Sequence, residues 1–220
     1  MREIPVLFST PMVQAILALI KRMTRRTKGL EKINENPDEW MFDGLHAGKY
    51  FQFMNKETGY HEILTCPYGK PGDILWVRET WCKNYSHEYG RYWYRADGEE
   101  IDMPTIYGGT VVYGKADGLK WRPSIHMPRE ACRIKLQVTN VRVERLQDIT
   151  EEDVAKEGTR DGENYITPKG QDVAPWHIAC FEMLWNSTLK EKQTGPLSPY
   201  RFCFNPWVWV ISFERVEVHK

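Results

Sequence analysis

The residues best suited to chemistry crowd into one short stretch, "AILALIKRMTRR", Ala15 to Arg26. Between Lys21 and Lys28 lie five positive charges, Lys21, Arg22, Arg25, Arg26 and Lys28, with no acid among them. Lys21 and Thr24 are three residues apart, so on a helix they share one face with Cβ atoms roughly 5–6 Å apart. A hydroxyl in that position can act as a nucleophile served by a lysine base, provided the amine is neutral. Nearby Arg22, Arg25 and Arg26, together with desolvation, push a lysine down from its ordinary value of about 10.4. Arginine cannot be the base, but it can hold a phosphate or stabilise an oxyanion. The same charges fit two other roles. At a helix C-terminus each is favoured by the macrodipole by about 0.3–1 kcal/mol, and on a surface they can meet nucleic-acid phosphates. Composition and spacing leave all three open.

The elements that must position this stretch can be read on either side of it. "IPVLFS", from Ile4, suits a buried strand, and Thr10 and Pro11 suit a helix cap and first position. Val13, Ile16, Leu17 and Ile20 repeat at helical spacing, which predicts a helix to about Met23. From Lys28 to Tyr60 the pattern weakens around "NENPDEW" and "NKETG". Pro71-Gly72 suit the centre of a type II turn before the strand "ILWVRETW". Lys83 to Arg129, with "YGGTVVYG" and "WRPSIHMPR", reads as short strands and loops. "RIKLQVTNVRVERL" alternates over Ile134, Leu136 and Val138 and again over Val141 and Val143, predicting a strand with a bulge or turn near Thr139-Asn140. Thr150 and Asp153 resemble a capping box opening the helix "EEDVAKE", which Gly158 stops. A further helix is predicted over about Ala174 to Leu189, and "WVWVISFERVEV" is the strongest strand. The expectation is one α+β domain over residues 1–220: a small mixed β-barrel with peripheral helices and loop-rich insertions at about 28–62 and 83–130.

Thirty Lys and Arg balance thirty Asp and Glu, so any basic surface must be local. The 220 residues are enough for one well-buried core. Cys66, Cys82, Cys132, Cys180 and Cys203 are odd in number, widely spaced and without C-x-x-C, which argues against disulfides or structural zinc; no metal or cofactor is expected. There is no signal-like apolar region near the N-terminus and no run approaching the roughly 18 apolar residues a membrane helix needs. A soluble cytoplasmic protein is expected, with no membrane partner.

Taken together, the blocks "AILALIKRMTRR", "PGD" at Pro71 to Asp73, "VTNVRVERLQDITEEDVAKEG" and "NPWVWVISFERV" resemble the ASCH family of the PUA-like superfamily, in particular its longer phage and prophage members. Lys21, Thr24 and Arg26 stand in register with the family signature G-x-K-x-x-T-x-R, with Leu19 in place of the glycine. The resemblance spans most of the chain and implies a PUA-like barrel with a cleft beside the motif, in a family associated with RNA and modified nucleosides. A phage-encoded member would act in the host cytoplasm. Some small bacterial relatives hydrolyse acetylcytidine with a Thr, a Lys and a Glu, which carry over to Thr24 as nucleophile, Lys21 as base and Glu157 as the group that orients it. Arg26 would hold the substrate. Leu19 in the glycine position predicts a narrower pocket.

Two other functions compete with an amidohydrolase. One is an RNA or single-stranded nucleic-acid binding module using Lys21, Arg22, Arg25 and Arg26 on phosphates and aromatics such as Trp76 and Trp121 on bases, from a set that includes Trp81, Tyr92, Trp93 and Tyr94. The other is an accessory protein acting on a host protein through an exposed apolar patch. His126 reads as structural, and Cys66 and Cys82 as small buried hydrophobes.

Overall fold

The computed structural model describes residues 1–83, 92–98, 103–107, 110–114, 120–159, 176–189 and 198–216. In chain order the strands are β1 (Glu3–Leu7), β2 (Met23–Arg26), β3 (Trp40–His46), β4 (Tyr50–Asn55), β5 (His61–Leu64), β6 (Ile74–Arg78), β7 (Trp81–Lys83), β8 (Tyr92–Tyr94), β9 (Met103–Tyr107), β10 (Thr110–Gly114), β11 (Lys135–Arg145) and β12 (Trp207–Val216). The α-helices are α1 (Thr10–Leu17), α2 (Glu31–Glu35), α3 (Glu151–Lys156) and α4 (Trp176–Thr188). The fold is mixed α+β.

Its centre is a five-stranded sheet in the order β1-β6-β11-β12-β2, with β1 and β6 parallel and the other neighbours antiparallel. β12 occupies an interior position, and every residue from Trp207 to Ile211 is buried, as expected of a strand covered on both faces. Trp207, Trp209, Ile211 and Phe213 join one core, with α1 residues Val13 and Ile16. Val208 and Val210 join another, with Val154 and α4 residues Phe181 and Trp185. On β11 the register shifts between Val138 and Asn140. This bulge changes the parity of the strand, so that Leu136, Val138, Val141 and Val143 all reach the first core.

Several local expectations hold. Asp73 N–H donates to Lys70 O at 3.0 Å across the Pro71-Gly72 turn, with Gly72 at φ +89°. The Thr150 hydroxyl accepts from Asp153 N–H at 3.2 Å, and Gly158 stops α3 at φ +85°. The segment from Trp40 to Leu64 corrects the loop-rich reading: it forms the sheet β3-β4-β5, whose Phe51 and Phe53 pack edge-on against Trp209 and Trp207 at 4.8 and 5.2 Å. Much of 83–130 lies outside the described residues.

Two larger expectations change. Among the described strands the central sheet is open, with no ladder joining β1 to β2 to close a barrel. The edges are linked instead by the Arg26 side chain, whose Nη2 donates to Leu7 O at 2.8 Å. The motif helix also ends six residues earlier than its periodicity predicts. At Leu19 the backbone turns to φ +59°, and Ile20 and Lys21 both return their N–H groups to Ala15 O at 2.9 and 3.0 Å. A left-handed residue after the helix is a common stop, normally glycine. Leu19 therefore takes the backbone conformation that a glycine in that position would adopt, and its side chain is 53% exposed. β2 then pairs with β12, Thr24 opposite Ile211 and Arg26 opposite Trp209.

Candidate active-site cleft

Strand alternation divides the basic stretch. Met23 lies in the core under α4, so Arg25 shares that face, while Thr24 and Arg26 take the other. Lys21, in the connection between α1 and β2, is pinned from below by the end of α3: Arg22 N–H donates to Lys156 O at 2.8 Å. A Cβ on Gly158 would stand 2.9 Å from Lys21 Cβ and 3.0 Å from Ala15 Cβ. Only glycine allows the two chain segments to approach this closely, and the approach brings Glu157 against Lys21.

The Lys21 amine donates to Glu157 Oε2 and to Glu157 O, both at 2.7 Å, and its side chain is 1% exposed. Burial is the main influence on this amine and holds it below the ordinary lysine value; Glu157 pulls the other way, and Arg26 and Arg25 add to the lowering. The other Glu157 oxygen accepts from Arg25 Nη1 at 3.1 Å. Arg25 is completely enclosed, with Nη2 at 2.5 Å from Glu144 and 2.6 Å from Asp153. Arg142 completes the cluster on Glu144 and Asp153. Three basic side chains, Lys21, Arg25 and Arg142, thus face three acidic ones, Glu144, Asp153 and Glu157. Arg26 is a fourth basic side chain and no carboxylate pairs with it among the described residues. Its guanidinium lies over the Phe8 ring at 5.1 Å, and the Lys21 amine approaches the same ring at 5.8 Å.

Beside this group opens a cleft of about 530 Å³ whose lining includes Phe8, Arg26, Glu157 and Gly158, the first residues of α1 and the end of α4. The hydroxyl-bearing residues Ser9, Thr80, Ser124, Ser187 and Thr188 also line it. A volume of this order suits a small ligand. No protein-family model, curated protein or solved structure matches this chain.

The structure brings Lys21, Glu157 and Arg26 together, and puts Thr24 on the Arg26 side of β2. The helical spacing expected for Lys21 and Thr24 is not what relates them, because Lys21 lies in a connection and Thr24 in a strand. Thr24 is 3% exposed, does not itself line the cleft, and its hydroxyl has no hydrogen-bond partner among the described residues. Arg25 is corrected from a surface phosphate contact to a buried structural cation. Arg22 is exposed and returns its Nε to Leu19 O at 3.1 Å, a helix-end contact. Trp76 and Trp121 are outside the cleft lining. Trp76 already carries the Arg78 and Arg129 guanidinium groups at 5.5 and 5.3 Å, leaving little face for a base. His126 is exposed, and Cys66 and Cys82 are buried, the Cys66 thiol pushed up to about 12 by burial. Neither Leu19 nor Lys21 is among the residues lining this cleft; with Arg22 both line a separate cavity of about 230 Å³.

Sequence reasoning missed Phe8, Gly158 and the acidic cluster. A signal for the last was present: Arg142 and Glu144 fall between inward-facing Val141, Val143 and Arg145, and Arg142 lies opposite Val210, as does Arg25. A row of charges on a sheet face covered by α3 must find partners there. Among the described residues, no helix is long and apolar enough to cross a membrane, and no group of His, Cys, Asp and Glu comes together that would hold a metal.

Proposed function

We propose that the protein is an amidohydrolase that removes an acyl group from a modified pyrimidine nucleoside such as acetylcytidine, working from a PUA-like fold of the ASCH type. The observation that carries this reading is the setting of the Lys21 amine, enclosed, held below the ordinary lysine value by burial and hydrogen-bonded to Glu157. A neutral amine has two N–H donors and one lone pair, and both donors are committed to Glu157. The lone pair remains to take a proton. In the proposed reaction the Thr24 hydroxyl attacks the acyl carbon as Lys21 accepts its proton, and the amine of the base leaves with that proton returned. Water then hydrolyses the acyl ester by the same route. Glu157 orients the amine, and Arg26 holds the substrate. Arg25 holds the second Glu157 oxygen by a hydrogen bond.

The burial of Lys21 and Arg25 speaks against a binding module that uses the basic stretch on phosphates, since a nucleic-acid backbone cannot reach either. A role in binding another protein has one observation in its favour: Met41, Leu45, Tyr50, Tyr60 and Ile63 are all exposed and lie between residues 41 and 63. Ile63→Lys separates the two, leaving hydrolysis intact and abolishing a role that depends on this surface.

The test is release of acetate from acetylcytidine, followed by chromatography. Turnover by the wild-type protein that is lost in Thr24→Ala and partly kept in Thr24→Ser supports the reading. Full turnover by Thr24→Ala would remove the threonine nucleophile, and no turnover of any acylated cytidine by the wild type would remove the function.

A further inference from the structure

Two independent features of the cleft wall call for negative charge. The first is Arg26. One Nη of its guanidinium donates to Leu7 O, while its Nε is buried with no hydrogen-bond partner among the described residues. Among the described residues no carboxylate forms an ion pair with Arg26, and both Glu157 oxygens already accept from Lys21 and Arg25. A guanidinium with a buried, unused N–H donor is costly and gains most from a charged acceptor. The second is the start of α1, where Ser9, Pro11 and Met12 line the same cleft. No side chain caps this end and no acidic residue lies in its first turn. The exposed N–H groups and dipole of such an end favour an anion. The hydroxyl-bearing residues Ser9, Thr80 and Ser124 add further donors to the wall.

We infer that the substrate carries an anionic group, a phosphate on the sugar or a carboxylate on the acyl chain, held between the Arg26 guanidinium and the first turn of α1. The inference rests on the cleft being the substrate site of the proposed hydrolase and specifies which acylated nucleosides it takes: charged ones over neutral ones.

The experiment measures calorimetric binding and hydrolysis of three probes, acetylcytidine, acetylcytidine 5′-monophosphate and cytidine succinylated on the same amine. A charged probe is expected to bind about ten-fold or more tightly than the neutral one, since a hydrogen-bonded charge is worth that much. Whether the phosphate or the succinyl probe shows the gain identifies the source of the charge. The preference should fall as salt rises and collapse in Arg26→Gln, with partial retention in Arg26→Lys. Equal binding of all three probes by the wild type would overturn the inference, and this comparison needs no variant to fold. Hydrolysis of the three at equal efficiency would leave the hydrolase standing without the anion site. Tight binding of a charged probe with no hydrolysis would keep the anion site and remove the hydrolase.

Discussion

Arg25 and Arg26 are adjacent in the chain and carry the same group, yet the two faces of β2 give them opposite surroundings. Arg25 meets Glu144, Asp153 and Glu157 in a closed cluster beneath α3 and α4. Arg26 meets a carbonyl, an aromatic ring and an open cleft. One face uses charge to fix the fold, and the other leaves charge for a ligand. Lys21 and Glu157 stand at the boundary: the carboxylate binds the structural arginine with one oxygen and the candidate base with the other. Charge density in a sequence therefore says little until strand alternation has assigned each residue its face.

The strongest way to break this comparison is to exchange the two roles. Arg25→Met leaves buried Asp153 and Glu157, and half-buried Glu144, with fewer partners and should cost about 3–5 kcal/mol of stability in denaturant unfolding, the range for breaking a buried ion pair. Arg26→Gln, with no carboxylate partner to strand, should cost much less stability and lose substrate discrimination. Equal destabilisation by both would erase the distinction between the faces. Next in size, Thr24→Ala should lower turnover by about 100-fold or more, the scale of losing a reacting group, with little change in unfolding midpoint. Gly158→Ala forces an alanine into φ +85° against Lys21 Cβ and should cost about 1–3 kcal/mol while reducing turnover. Leu19→Gly should do the reverse on a small scale, stabilising by about 1 kcal/mol by relieving a left-handed leucine, without changing substrate range.

Much of the local structure was legible because it depends on neighbours in sequence. The Pro71-Gly72 turn, the Thr150 cap, the bulge near Asn140 and the buried terminal strand each follow from residue types a few positions apart. The end of α1 was not legible. Val13, Ile16, Leu17 and Ile20 continue a helical pattern through a residue that is a poor candidate for a left-handed turn, and it is pairing of β2 with β12 that overrides the pattern. The Lys21–Glu157 pairing spans 136 residues, so spacing alone could not supply it. The sheet of β3 to β5 was hidden for a related reason. Its strands are short, and Phe51 and Phe53 find their partners only in β12.

The smallest predicted effect concerns pH. Burial lowers the folded-state value of Lys21 below that of the unfolded chain. Between those two values the unfolded chain holds a proton that the folded one lacks, so stability rises with pH across that window. Buried groups such as Cys66, whose value is raised, act oppositely at higher pH, so the Lys21 contribution is the difference between wild type and Lys21→Met.

The central claim, that Lys21 is available as a neutral base, is tested most directly by nuclear magnetic resonance titration of the lysine side chains with carbon-13 at Cε, the Lys21 signal being assigned by its loss in Lys21→Met. The Lys21 signal is expected to titrate below the ordinary lysine value of about 10.4. A Lys21 signal that titrates at or above that value would make this residue the charged half of a structural ion pair with Glu157 and not a base.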